Sequence, residues 1–126
     1  MQLSTDVRSG ILDPIETVIG ASPVLKLRTG AAPANCAAAD SGTELLSMTL
    51  PSDWLNVGSG ATKTKKGVWQ GTATVLGTFG HYRIYESTGT SCKIQGPSSE
   101  LVLADTTLEV GQPVRITAAI FTAGNA

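Results

Sequence analysis

The side chains best suited to chemistry lie close together between residues 77 and 96. This stretch, GTFGHYRIYESTGTSCKIQG, contains the only histidine, His81, both tyrosines, Tyr82 and Tyr85, and Cys92, one of the two cysteines. A histidine base needs a nucleophile or a water molecule, and an acid that orients its ring. The first hypothesis raised by the stretch is therefore a Cys–His pair for nucleophilic chemistry.

The spacing within the stretch favours a structural role. Glu86, the nearest acid, follows His81 by five residues, and an odd offset along a strand places two side chains on opposite faces. Whether Cys92 approaches His81 depends on the register of the predicted hairpin, so this pair stays open. The alternative is a histidine at a strand end beside a tyrosine, with Cys92 in the core. We expect the alternative, and we predict that the chain is not an enzyme.

The rest of the sequence indicates no metal, phosphate or cofactor site. One histidine, two distant cysteines and scattered carboxylates lack the spacing of metal ligands. The glycines of Gly58-Ser59-Gly60 precede a predicted strand, so we interpret them as a turn and not as a phosphate-binding loop. Cys36 and Cys92 are expected to be reduced, with a disulfide between them as the alternative. A hidden carboxylate pair of a small hydrolase is the remaining enzyme hypothesis.

Composition narrows the class of partner. A chain of 126 residues with nine basic and ten acidic residues predicts a single domain without the clustered basic face that nucleic acids require. The one basic run, Lys63-Thr64-Lys65-Lys66, is interpreted as a solvated loop or edge strand. Charged residues make up 15% of the chain, and uncharged polar groups are easier to bury than charges. We therefore expect a protein partner, and neither nucleic acid nor membrane.

Membrane and secretory segments are not predicted either. No apolar stretch reaches the roughly 18 residues that a membrane-spanning helix needs. The first residues lack the basic start and apolar run of a secretory signal.

A helix is predicted over residues 4–20. Its apolar residues recur at spacings of three and four, on one expected face: Val7, Ile11, Ile15, Val18 and Ile19. Pro14 lies inside this pattern, and Asp13-Pro14 also has the form of a new helix start, so one kinked helix and two short helices both fit. Gly20 is expected to end the helix.

Eight or nine short strands are predicted after the helix. They lie at 23–29, 44–50, two within 61–76, 81–86, 92–95, 101–103, 108–110 and 113–122. A turn at Lys66-Gly67 or Gln70-Gly71 would join the pair within 61–76, and residues 29–42 would form a loop. In the last strand one face is predicted to contain Val114, Ile116, Ala118 and Ile120. Such spacing is typical of an antiparallel β-sandwich or barrel.

Within this single domain we expect an N-terminal arm and kinked helix at residues 1–22, and the sandwich at residues 23–126. Met1, Gln2 and Leu3 precede the helix and are candidate partner contacts, with a frayed terminus as the alternative.

Trp54 and Trp69 are the other candidate partner contacts. Exposed indoles would suit sugar stacking or a protein interface. Aromatic residues make up only 5% of the chain, so the alternative is that the core needs both rings.

Several short sequence motifs follow one another in an order known from one protein family. They are Ile19-Gly20, LKLRTG at 25–30, APA at 32–34, AAADSG at 37–42, the strand at 45–50, GHYRIY at 80–85, TGT at 88–90, IQG at 94–96 and TAGN at 122–125. This order resembles small virion proteins of tailed bacteriophages, of the capsid cement or decoration type. The resemblance covers nearly the whole chain and consists of turns and strands without a catalytic signature.

The resemblance implies a β-sandwich of jelly-roll type that binds the outer surface of a capsid and stabilises the capsomer junctions. The implied partner is the major capsid protein, and symmetry favours a dimer or trimer of the chain. The implied location is the capsid exterior of the virion, after synthesis in the bacterial cytoplasm. No functional residue is carried over from the family. The alternative within the virion is a head-fibre, tail or receptor-binding β-module.

Overall fold

The computed structural model describes residues 1–123, which form a mainly β structure with an N-terminal helical segment. The helices are α1 (Thr5–Leu12) and α2 (Ile15–Ile19). The strands are β1 (Val24–Arg28), β2 (Glu44–Thr49), β3 (Thr62–Thr64), β4 (Trp69–Thr72), β5 (Gly77–Thr78), β6 (His81–Tyr85), β7 (Cys92–Pro97), β8 (Leu101–Leu103), β9 (Thr107–Leu108) and β10 (Pro113–Thr122). A 3-10 helix, Ser98–Glu100, precedes β8. Residues 124–126, the end of the predicted sandwich domain and of the TAGN phrase, lie outside the described part.

The helical segment consists of two short helices, one of the two forms that the sequence allows. Asp13 and Pro14 separate α1 from α2, because proline has no N–H to continue the hydrogen-bond ladder. Gly20 ends α2 with a positive φ of 94°, as predicted.

The predicted apolar face of the helices is confirmed only in part, because Ile15 and Ile19 pack against the core but the other three residues do not. Leu12 and Ile19 are the buried residues, whereas Val7, Ile11 and Val18 are 48%, 55% and 77% exposed. The pattern assumed one continuous helix whose apolar side covers the core. Instead, the inward side carries polar residues of α1 and α2 that bind the strands beneath, so three of the apolar residues point outward.

One antiparallel sheet has the strand order β2-β1-β6-β7. The predicted hairpin around residues 87–90 is confirmed, because β6 pairs with β7 across that turn. Its register places Ile84 opposite Ile94 and Tyr85 opposite Cys92. β6 lies between β1 and β7, and β7 forms an edge of the sheet.

The second sheet is built around β10. β4 and β8 both pair with Ile116, so they lie on opposite edges of β10. β3 pairs with the far end of β10. The predicted turn at Lys66-Gly67 fits the positive φ of Gly67, but β3 and β4 pair with β10 and not with each other, and Gln70-Gly71 lies within β4.

The predicted single face of β10 is wrong beyond Ile116. The register against β8 shifts between Ile116 and Ala118, and such a bulge moves the following side chains to the opposite face. Ala119 and Phe121 are therefore buried, and Ile120 is exposed. The two remaining strands, β5 and β9, pair in a small ribbon.

The two larger sheets share one hydrophobic core. Trp54 packs against Trp69 with ring centroids 6.2 Å apart, and Tyr82 meets Phe121 edge-on at 6.1 Å. Trp54 and Trp69 have no exposed surface. Their prediction as partner contacts is therefore corrected: the core needs both rings because the chain has few other large side chains.

Candidate functional site

The side chains on both faces of strand β6 are buried. Tyr82 and Ile84 face the hydrophobic core. His81, Arg83 and Tyr85 are equally buried, because the segment at residues 29–43, here called the covering loop, lies over them. The catalytic hypothesis for the hairpin therefore depends on what lies beneath this loop.

Arg83 is the centre of the contact between the covering loop and β6. Its side chain is 2% exposed and donates to the carbonyl oxygens of Asn35, Cys36 and Ala38 at 3.1–3.2 Å. It also donates to the Asp40 carboxylate and to Gln95. A buried guanidinium is tolerated only when its donors are satisfied. Arg83 thus holds the covering loop on the sheet.

Asp40 completes this arrangement, and we call Arg83, Asp40 and Tyr85 the loop clamp. The Tyr85 hydroxyl donates to Asp40 Oδ1 at 2.5 Å. This hydrogen bond, followed by that from Arg83, lowers the pKa of Asp40 below its ordinary value. Burial, and then the neighbouring Asp40, raises the pKa of Tyr85 to about 12. At neutral pH the clamp therefore contains a carboxylate, a guanidinium and a neutral phenol.

His81 lies under the covering loop at the start of β6. Its Nδ1 is 2.9 Å from the carbonyl oxygen of Gly30, and since a carbonyl only accepts, we assign the proton to Nδ1. Nε2 is buried without a hydrogen-bond partner among the described residues. Neither nitrogen faces solvent, so in this conformation the ring positions Gly30 and does not face a substrate.

Glu86 is engaged at the hairpin turn and not with His81. Its carboxylate accepts from the Thr88 hydroxyl at 2.5 Å, from Thr90 and from the Ser91 amide. These hydrogen bonds, that from Thr88 first, lower the pKa of Glu86 to about 2. Glu86, the acid nearest to His81 in the sequence, therefore stabilises the hairpin turn.

The structure does not bring Cys92 to His81, since the register places them at opposite ends of the hairpin. Cys92 instead meets Cys36 of the covering loop, with 3.1 Å between the two sulfur atoms. The two cysteines are not bonded to each other in this structure, and their reduced state stays a prediction. Among the described residues there is no group of three or more His, Cys, Asp or Glu side chains able to hold a metal ion.

The helices are attached to the sheet by polar contacts. Lys63 on β3 is 3% exposed and forms ion pairs with Glu16 at 3.3 Å and with Asp13 at 3.6 Å. Asp13 also accepts from the Gly58 amide, and Ser9 accepts from the Ala61 amide. The basic run is thus on an edge strand as predicted, but its first lysine is a buried anchor and is not solvated.

Three aliphatic side chains of the two helices are left exposed, Val7, Ile11 and Val18, and we call them the helical patch. Beside it lies a shallow apolar groove between the helices and β7, in which Lys93 and Ile94 face Ile11 and Val18. No strand in the described range 1–123 pairs with the outer edge of β7. An apolar helix face and an unpaired strand edge therefore lie side by side.

The other predicted partner contacts, Met1, Gln2 and Leu3, precede α1. Met1 is 91% exposed, Gln2 is exposed and Leu3 is partly buried with an interaction of its own. Partner contact by this segment stays a prediction.

Sequence reasoning missed the loop clamp, the Lys63 anchor and the outward direction of the helical patch. Arg83 and Asp40 are 43 positions apart, and local periodicity carries no information on such a pair. One signal was available: an arginine in the middle of an otherwise apolar strand requires acceptors from elsewhere in the chain.

Comparison of the chain with family models, with curated proteins and with solved structures gives no match. Among residues 1–123, no helix has the length and apolar character needed to cross a membrane. The arguments for function therefore come from the site itself.

Proposed function

We propose that the chain is a structural virion protein that binds the outer surface of a bacteriophage capsid and stabilises capsomer junctions. In this proposal the two larger sheets form a sandwich of jelly-roll type, the partner is the major capsid protein and the chain acts as a dimer or trimer. The observation that carries the proposal is the helical patch beside the unpaired edge of β7.

The helical patch has the properties of a docking surface. Val7 and Ile11 are exposed one turn apart on α1, and Ile11 and the exposed Val18 line the same apolar groove, whereas aliphatic residues on a monomer surface are usually scattered. Burying such side chains against a partner is favourable by about 25 cal/mol per Å² of apolar surface. Among residues 1–123, Lys93 is the only charged residue that lines the adjacent groove, so docking would desolvate little charge.

The edge of β7 adds a second mode of contact. An exposed strand edge can accept a strand from a partner, and the backbone hydrogen bonds then supply affinity. The helices next to it are fixed by Lys63, Asp13 and Ser9, so docking does not need to order them. Such preorganisation lowers the entropic cost of association, and many modest contacts on a lattice reinforce one another.

The alternative of a receptor-binding module has less support. Carbohydrate recognition commonly uses exposed aromatic rings, but all six aromatic side chains of this chain are buried: Trp54, Trp69, Phe79, Tyr82, Tyr85 and Phe121. A head-fibre or tail role that uses other surfaces is an alternative outcome of the copy-number measurement given below.

The helical patch is tested with heads from a virus that lacks the gene for this chain. Purified protein is added to these heads, and the bound amount is measured after sedimentation. We expect Val18→Asp to weaken binding about tenfold or more, because the contact loses apolar burial and must desolvate a charge.

The matched control is Val110→Asp, since Val110 is 71% exposed but lies in the turn before β10. It should bind as the unaltered chain does, and both variants should keep their melting temperature. Equal binding by both variants would contradict docking through the patch, and failure of the unaltered chain to bind heads would reject the capsid proposal.

A further inference from the structure

The two cysteines meet where the covering loop crosses the sheet. Cys92 Sγ is 3.1 Å from Cys36 Sγ, within hydrogen-bond distance. A disulfide bond is about 2.0 Å long, so the two sulfur atoms need to approach each other by about 1 Å to form one. The two cysteines that meet here are 56 positions apart in the chain.

The loop clamp fixes both sides of this contact. The carbonyl oxygen of Cys36 accepts from Arg83 at 3.1 Å, and Cys92 lies opposite Tyr85 in the β6–β7 pair. Arg83 and Tyr85 both bind Asp40. The thiols are therefore held together by a network that exists before any bond forms between them.

The thiols are also accessible. Both cysteines are partly exposed and line an open depression on the surface, together with Asp40, Arg83, Tyr85 and Ser91. A small disulfide such as oxidised glutathione can enter a depression of this kind. We propose that Cys36 and Cys92 are a reversible modification site, at which an external disulfide of the glutathione class converts the thiol pair into a disulfide that fastens the covering loop to the sheet.

The chemistry is a pair of thiol–disulfide exchanges. The Cys36 thiolate attacks one sulfur of oxidised glutathione, which forms a mixed disulfide and releases one glutathione thiolate. The Cys92 thiolate then attacks the Cys36 sulfur and releases the second glutathione. The two protons lost by the cysteines pass to the two glutathione thiolates, so two protein thiols are oxidised and one glutathione disulfide is reduced.

The environment of the thiols supports this order of attack. Burial, and then the Cys36 sulfur, raises the pKa of Cys92 to about 12, which makes Cys92 the poorer first nucleophile. Attachment of glutathione removes the Cys36 thiolate whose charge opposes ionisation of Cys92. Cys36 is then the attacking residue and Cys92 the resolving residue.

This inference goes beyond the proposed function and does not depend on it. If the chain does act on a capsid, the site would be reduced in the bacterial cytoplasm and oxidised after release, when stability outside the cell matters. A cross-link that closes so long a loop restricts the unfolded chain and so stabilises the fold.

The test uses the isolated chain and oxidised glutathione at graded concentrations. Free thiols are then alkylated, and peptides are mapped by mass spectrometry without reduction. We expect a cross-linked peptide pair containing Cys36 and Cys92, loss of both free thiols and a rise of about 10 °C in melting temperature, reversed by dithiothreitol.

Cys36→Ser and Cys92→Ser are the matched controls. Neither should show a rise in melting temperature with oxidised glutathione, and Cys92→Ser should accumulate the mixed disulfide at Cys36. Retention of both thiols, a stable glutathione adduct on the unaltered chain or cross-links between chains would each overturn the proposal. A cross-link without thermal stabilisation would overturn the claim that it fastens the loop. Capsids are absent from this test, so it can fail or succeed independently of the capsid experiment.

Discussion

At the scale of single residues, Arg83 decides how the second face of β6 is covered. A buried guanidinium without acceptors would be strongly unfavourable, and the covering loop supplies three carbonyl oxygens and a carboxylate. The residues that first indicated catalysis, His81 and Cys92, lie beneath or beside this loop. Their apparent cluster in the sequence reflects the construction of a second, polar core.

Acid should loosen the loop clamp through Asp40. The hydrogen bonds from Tyr85 and Arg83 depress the folded-state pKa of Asp40 below its ordinary value, so the carboxylate stabilises the fold at neutral pH. This contribution should be fully present above the unfolded-state pKa of about 4 and be lost as the pH falls through the folded-state pKa.

The variant Asp40→Asn should lower the free energy of unfolding by about 1–2 kcal/mol at pH 7, because half-exposed charged hydrogen bonds are lost. Below pH 4 its stability should depend less steeply on pH than that of the unaltered chain. Urea unfolding followed between pH 2.5 and 7 measures both quantities. Glu109→Gln, a change at an exposed carboxylate, is the control, and parallel pH profiles for the unaltered chain and Asp40→Asn would refute the role of Asp40.

At the scale of elements, the local sequence pattern predicted where the strands lie, but it did not predict which side chains the neighbouring elements would bury. β1, β2, β6 and β10 follow from alternation bounded by Gly, Pro and Ser, and their bounds agree with the sequence within about one residue. The bulge in β10 and the direction of the helical patch were not predictable in this way. Both depend on distant partners, the register of β8 and the Lys63 anchor, which no local window contains.

Substitutions at two glycines test how closely the covering loop approaches β6. A Cβ on Gly80 would lie 2.3 Å from the carbonyl oxygen of Gly30, whereas a Cβ on Gly10 would meet no atom within 4 Å. Gly80→Ala should therefore push the covering loop away from β6 and cost about 2 kcal/mol or more. Gly10→Ala should stabilise α1 by about 0.5–1 kcal/mol, since alanine is the better helix former.

The midpoints of urea unfolding at neutral pH compare the two variants. A shift to lower urea for Gly80→Ala and to higher urea for Gly10→Ala is the expected pair of results. A Gly80→Ala protein as stable as the unaltered chain would mean that the covering loop is not tightly packed on β6.

At the scale of the whole molecule, two positively charged side chains, Lys63 and Arg83, are buried, and the helical patch is exposed. Lys63 and Arg83 form internal ion pairs, and the aromatic rings are buried in the core. The exposed aliphatic residues include Val7, Ile11 and Val18, and Ile11 and Val18 line a groove beside the edge of β7. Such a molecule is suited to many modest, repeated contacts, as on a capsid lattice.

Copy number in purified virus particles tests the capsid role most directly. This chain and the major capsid protein are quantified together by mass spectrometry with labelled peptide standards. A lattice-binding protein should be present near one copy per capsid subunit, or at a simple fraction of that number, because each symmetry-related junction offers the same site. A ratio below about one in twenty, as expected for a part confined to the tail or a single vertex, or absence from the particles, would contradict the proposal.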